Sequence, residues 1–228
     1  MEYIGIIAAL DEEIEAIKKT MKEVSIKEIY ELQFIQGRIN EKDVVLVRCG
    51  VGKVNAARTT QILLNNFNIE YVVNVGTAGS LNESIEIGDI VIAEKLVQHD
   101  FDITAFNHEK GYIPNIGGKF VESDSYLIKL AKEVGDESTH TGVIASGDIF
   151  CTEEAMSSKI ATKFGALCVE MEGASIAQVC YLSHIPFLVI RSISDSPTGG
   201  DNTLTYEEFL KLSSYKVASY LKRMLDII

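Results

Sequence analysis

The chain has 228 residues, 46% of them hydrophobic and 24% charged, which suits a single globular α/β domain over 1–228 and excludes a disordered or low-complexity chain. A formal net charge of −12 argues against nucleic acid and anionic membrane surfaces as partners, because such contacts need clustered Lys and Arg. No apolar run approaches the ~18 residues that a membrane span requires.

The N-terminus enters a strand-like run at once, so no signal peptide is expected. Tyr3 to Leu10 is nearly all apolar, the pattern of a strand buried on both faces. Asp11, Glu12 and Glu13 follow and open a helix with Ile14 and Ile17 on one side. Acids in a first turn are ordinary helix-start chemistry, favoured by the macrodipole. Ile29 to Gly37 and Asp43 to Cys49 read as a hairpin around Asn40. Gly50-Val51-Gly52-Lys53 then opens a helix through Leu64. The turn has the glycines and lysine of a phosphate loop, but no glycine stands five residues before Gly52, and Val54 replaces the Ser or Thr of that motif. Asn55 stands where the dinucleotide fingerprint needs its third glycine. Close backbone approach to a ligand remains open for this turn.

Tyr71 to Val75 is another buried strand, ending in Gly76-Thr77-Ala78-Gly79-Ser80. Gly88 to Val97 reads as a strand and is followed by the irregular stretch His99 to Phe106. The four histidines, His99, His108, His140 and His184, are scattered without metal-ligand spacing, so no metal is expected. Ser125 to Val134 is helical. Thr141 to Ser146 predicts a strand closing in Gly147-Asp148-Ile149-Phe150-Cys151, and Thr152 is placed to cap a helix over Glu153 to Lys163.

Leu167 to Asp195 reads as strand, helix, strand: Leu167 to Met171, a small-residue helix from Gly173, then Pro186 to Ile193. A βαβ unit of this kind implies two parallel strands whose carboxyl ends share the edge at which open α/β sheets bind ligands. The first strand brings Glu170 and Glu172 to that edge, and the second brings Arg191, Ser194 and Asp195. The following SPTGGDN has the turn chemistry of a lid, and Thr205 is placed to cap a last amphipathic helix. Cys49, Cys151, Cys168 and Cys180 show no C-x-x-C spacing and sit mostly in apolar runs, as reduced, buried thiols of a cytoplasmic protein would.

The pieces VEMEGASIA (169–177) and RSISD (191–195) resemble the purine nucleoside phosphorylase/uridine phosphorylase superfamily, and within it the 5′-methylthioadenosine/S-adenosylhomocysteine nucleosidases. The likeness extends from IGIIAALDEE near the start to LTYEEF near the end. It implies a three-layer α/β domain with a mixed central sheet flanked by helices, and an enzyme that needs no cofactor. It also implies a small adenine nucleoside as ligand and a homodimer.

Carried over residue by residue, the resemblance makes Glu13 the group that activates water, helped by Thr77. Leu10 becomes an apolar lining residue, and Val51 lies in the turn beside the site. Phe150 stacks on adenine, and the backbone at Cys151 reads the base edge. Met171 packs on the ribose, and Glu172 holds its 2′- and 3′-hydroxyls. Glu170 and Ser194 belong to the binding site, Arg191 positions the acidic cluster, and Asp195 protonates adenine N7. Tyr206 closes over the nucleoside. Ile103, Phe106 and Pro114 are contributed to the neighbouring subunit's 5′-alkylthio pocket.

Phosphorylases of the superfamily carry a phosphate-gripping arginine where Asn74 stands, and a Gly and an Arg where the acidic Asp11–Glu13 segment stands. Carboxylates repel phosphate and can polarise a water. The implied reaction is therefore hydrolysis. A phosphate-dependent phosphorylase and a non-catalytic nucleoside-binding or storage relative are the alternatives.

Overall fold

Strands that are apolar on both faces need a layer of helices on each side. In the computed structural model, which describes residues 2–195 and 202–228 (side chains of 202–208 excepted), this is the arrangement. β1 (Tyr3–Ala8) sends Ile4, Ile6 and Ala8 into one core and Ile7 into the other. β10 (Phe187–Asp195) divides Leu188 and Ile190 from Phe187 and Val189 in the same way. The first core is closed by α1 (Asp11–Lys18), α3 (Ser125–Glu133) and α6 (Asn202–Asp226), the second by α2 (Lys53–Asn66) and α5 (Gly173–Leu182). A smaller cluster seats Ile160 and Phe164 of α4 (Glu154–Phe164) on the strands beneath.

One sheet of ten strands runs between these layers. β2 (Lys22–Ile29), β3 (Leu32–Ile39), β4 (Lys42–Arg48), β1 and β5 (Ile69–Ser80) follow one another in hydrogen-bonded order. β5 then pairs in parallel with β10, and β10 pairs antiparallel with β6 (Ile90–Gln98). β6 is parallel to β8 (Thr139–Ser146), and β8 to β9 (Ala166–Glu170). β9 returns to the far end of β5 as an antiparallel partner, with Gly79 opposite Val169. These strands therefore close into a ring, which removes edges that an open sheet would leave. β7 (Phe120–Glu122) pairs with β6 outside the ring. β5, 12 residues long, serves the open half with one end and the ring with the other.

Two expectations change, and one strand was not foreseen. The strands around α5 are not parallel neighbours: β9 runs against β5 while β10 runs with it, because ring closure turns β9 onto the opposite end of β5. The N-cap of α4 is Glu153 and not Thr152, and it makes no side-chain capping bond. β2 lacks any buried face over most of its length, so it carries no apolar alternation by which to recognise it. In addition, α6 begins at Asn202, three residues before the expected cap at Thr205. The side chains of Thr205 and Tyr206 lie outside the described residues, as does the segment 196–201. No helix among the described residues is long and apolar enough to cross a membrane. The carboxyl ends of β1, β4, β5, β8, β9 and β10 converge, and a cavity opens there.

Candidate active site

The cavity encloses about 570 Å³, its mouth included. Leu10 and Glu13 enter it from the β1–α1 turn, Val51 from the Gly-rich turn, and Thr77 from the end of β5. Phe150 and Cys151 come from the loop after β8, and Glu170, Met171 and Glu172 from the end of β9. Ser194 and Asp195 close the last wall from β10. Sequence reasoning did not single out Ile149, Ala78 or Gly79, which also line it. Ala78 and Gly79 carry too little side chain to announce themselves.

Glu13 sits at the third position of α1, which lets its carboxylate fold back over the helix start. Oε2 accepts the backbone N–H groups of Ala9 (2.9 Å) and Leu10 (3.0 Å), and Oε1 accepts that of Thr77 (3.0 Å). Burial raises its pKa above the ordinary carboxylate range, against the lowering effects of Arg191 and these three N–H groups. The side chain is thus fixed in place, more basic than a surface glutamate, and still has lone pairs for a water. Gly76 makes the fit possible: a Cβ there would stand 2.9 Å from Glu13 Oε1.

Asp195 is built in the same manner. A Cβ on Gly79 would fall 2.8 Å from its Oδ2, so the glycine of β5 gives this carboxyl its room. Ser194 Oγ lies 2.7 Å from Asp195 Oδ1. Burial raises the Asp195 pKa and outweighs that hydrogen bond, which favours the proton-bearing form. The neighbouring Cys151 thiol is pushed up to about 11 by burial and by the charge of Asp195, so it is a neutral wall group.

Glu170 faces the cavity wall, yet both its oxygens are committed to protein donors. Oε1 accepts the Ser146 hydroxyl, and Oε2 accepts Arg191 Nη2 together with the N–H groups of Glu172 (3.0 Å) and Gly173 (2.7 Å) at the start of α5. Ser146 Oγ also accepts the Ala174 N–H at 2.7 Å. Arg191 is buried behind the wall and holds Asn74 Oδ1 at 2.6 Å, while the Asn74 amide donates to the Ile7 carbonyl at 2.9 Å. This knot fixes the first turn of α5, and with it Glu172, the N-cap residue. Glu172 Oε1 accepts the Gly52 N–H at 2.8 Å. Its pKa is raised to about 8, by burial first and then by the charge of Glu170. The Gly-rich turn therefore turns its N–H toward a carboxylate of the protein itself. Ser146 and the Gly52 N–H were missed because a lone serine and a backbone group leave no sequence pattern.

Ile103, Phe106 and Pro114 do not reach this cavity. Phe106 is 75% exposed, Pro114 is exposed and Ile103 is half-buried. The side chain of Tyr206 is outside the described residues. Despite four carboxylates in one pocket, no group of three His, Cys, Asp or Glu side chains among the described residues is arranged to hold a metal ion.

Residues 3–226 match the model of the Phosphorylase superfamily. A curated 5′-methylthioadenosine/S-adenosylhomocysteine nucleosidase of Geobacillus sp. is 40% identical over 212 residues, covering 91% of this chain and 90% of the relative. One from Haemophilus influenzae is 39% identical, with 98% of each chain covered. Among solved structures, S-adenosylhomocysteine nucleosidase from Streptococcus pyogenes, in complex with 5-methylthiotubericidin, superposes with a TM-score of 0.95 at 32% identity. That match covers 100% of this chain and 97% of the other.

Proposed function

This chain belongs to the phosphorylase superfamily, and from that membership and the geometry of its site we propose the following reaction. The protein is a nucleosidase, an N-glycosyl hydrolase that cleaves 5′-methylthioadenosine and S-adenosylhomocysteine to adenine and the corresponding thioribose. Asp195 gives its proton to adenine N7 as the bond from the anomeric carbon to N9 breaks, because adenine leaves poorly as an anion. Glu172 accepts the 2′- and 3′-hydroxyls, and these donors together with the developing sugar cation favour its anion over the protonated form that burial promotes, so that it offsets the positive charge. Glu13, with Thr77, holds a water at the anomeric carbon and takes its proton as the new C–O bond forms. Glu170 and Arg191 act one layer back, as positioning groups for Glu172. The base lies against Phe150 beside the backbone of Cys151, and Leu10, Val51 and Met171 face the sugar and its 5′ substituent.

The single observation that carries hydrolysis over phosphorolysis is the charge of the wall. No Lys, Arg or His is among the described residues lining the cavity, and the sequence 196–208 contains none either. Arg191, a cation buried behind the wall, is bound by Glu170 and Asn74. A phosphate ion would face carboxylates with nothing to neutralise it. Methylthioadenosine in phosphate-free buffer is therefore expected to give adenine and free methylthioribose. Strict dependence on phosphate, with a sugar 1-phosphate as product, would overturn the reading.

The proposal extends to one domain over 1–228 and to a homodimer in which Ile103, Phe106 and Pro114 complete the neighbour's 5′-alkylthio pocket. Tyr206 is assigned to the closure over the nucleoside by its place in the sequence alone. Four free cysteines, all buried, fit a cytoplasmic location.

A further inference from the structure

The Gly-rich turn 50–53 ends in a lysine that the reaction leaves unused. Lys53 does not line the active-site cavity. Its Nζ lies 2.5 Å from Asp100 Oδ1 and 3.1 Å from Gln98 Oε1, both at the carboxyl end of β6. The other oxygen of Asp100 accepts the Asp148 N–H at 2.9 Å, and Asp148 Oδ1 accepts the Lys53 N–H at 2.8 Å. Three residues from three separate segments thus close a ring of hydrogen bonds. Gln98 extends it to α5 through a 2.7 Å bond to Gln178.

The ring is built for a close fit. The Lys53 and Asp100 side chains are only 16% and 19% exposed. Burial would raise the Asp100 pKa, but Lys53 and the Asp148 N–H outweigh it and hold the carboxylate below its ordinary range, so the ring stays charged. Gly52 has φ 98°, and a Cβ on it would come 3.1 Å from Asp148 Oδ1, so a side chain at this point of the turn would press on the ring. Two of its members, Lys53 and Asp148, are close in sequence to working parts of the site. The residue before Lys53 donates its N–H to Glu172, and Phe150 and Cys151 follow directly on Asp148 and Ile149.

We propose that Lys53, Asp100 and Asp148 form a positioning clamp that locks the ribose-holding Gly52–Glu172 contact and the adenine-facing Phe150 loop into one fixed spacing. None of the three touches the reacting atoms. The turn that looks like a phosphate loop is a strut, with its lysine spent on a carboxylate just beyond the end of β6. A nucleoside must fill both subsites at once, so their separation is part of the recognition, and a displacement of an ångström is costly. The clamp rests on the nucleosidase reading for its consequence in turnover.

The test compares Lys53→Met, Asp148→Ala and Asp148→Asn with the parent. The readouts are KM for methylthioadenosine, the dissociation constant of free adenine by calorimetry, and Tm. Lys53→Met and Asp148→Ala are expected to raise KM and weaken adenine binding by about 10-fold or more, because a misplacement of about 1 Å can cost as much as about 10²-fold. Asp148→Asn keeps an oxygen for the Lys53 N–H and should regain most of that loss. Partial unfolding raises either constant only by the inverse of the folded fraction, so a Tm well above the assay temperature excludes it as the cause. Unchanged KM and adenine affinity in the first two variants, whatever happens to Tm, would overturn the clamp. So would a loss that Asp148→Asn does not reverse. Adenine binding is read without turnover, so a failure of the hydrolase reading, seen as phosphate dependence of the parent, is separately recognised.

Discussion

At the scale of single residues, the site depends on carboxyl groups whose surroundings make two of them do opposite work. Asp195 and Glu13 are both buried and both raised in pKa, but their partners differ. Three backbone N–H groups surround Glu13 and favour its anion, whereas Asp195 has one serine hydroxyl and can keep its proton more readily. Asp195→Asn keeps the shape and removes the transferable proton. It is expected to lower kcat by about 10²–10⁴-fold while leaving Tm nearly unchanged. A nucleoside with a nitrophenyl-type aglycone needs little protonation and should restore much of the deficit. Equal losses on both substrates would rule out leaving-group protonation as the role of Asp195.

At the scale of elements, one buried ion pair ties three strands and a helix together. Arg191 of β10 reaches Asn74 of β5 and Glu170 of β9, and Glu170 in turn holds the first N–H groups of α5. Both charged side chains are almost fully buried, at 2% and 3% exposure. Removing the cation alone leaves a carboxylate buried without compensation, which typically costs about 3–5 kcal/mol. Arg191→Met is therefore expected to shift the denaturant midpoint downward by a corresponding amount and to depress kcat/KM. Adding Glu170→Gln to it should recover stability, because the stranded charge is gone. Activity should stay low, because the α5 start that carries Glu172 is no longer fixed. A double variant with parental kcat/KM would show that the pair serves stability only.

At the scale of the whole molecule, two apolar side chains that follow β6 stand clear of their own chain's described cavity. Phe106 is 75% exposed at the end of a short 3₁₀ turn, and Pro114 is exposed nearby, both away from the described cavity. In the proposed homodimer the neighbouring subunit covers Phe106. A homodimer at assay concentration is expected by sedimentation. Phe106→Ala should raise KM for methylthioadenosine more than it lowers kcat, as loss of uniform binding does. A fully active monomer would remove the basis for both.

The sequence by itself determined the buried strands, because Tyr3–Ala8 and Phe187–Asp195 must be covered on both faces wherever they lie. It also brought Glu170, Glu172, Arg191, Ser194 and Asp195 to strand ends, whereas Glu13 read as ordinary helix-start chemistry and only the family resemblance singled it out. Edge strand β2 was not legible, because a strand solvated on both faces has no periodic burial to record. Ring closure was not legible either: a strand–helix–strand pattern encodes its own lengths and apolar faces, not which end of β5 the first strand will meet. Only the tertiary structure decided that Glu170 is spent on Ser146, Arg191 and α5 while Glu172 faces the cavity. It alone decided that Gly76 and Gly79 are needed as space for two carboxylates, and that Lys53 binds a carboxylate of its own chain. Those outcomes depend on contacts between segments far apart in the chain, here as distant as residues 74 and 191, and local sequence carries no term for them.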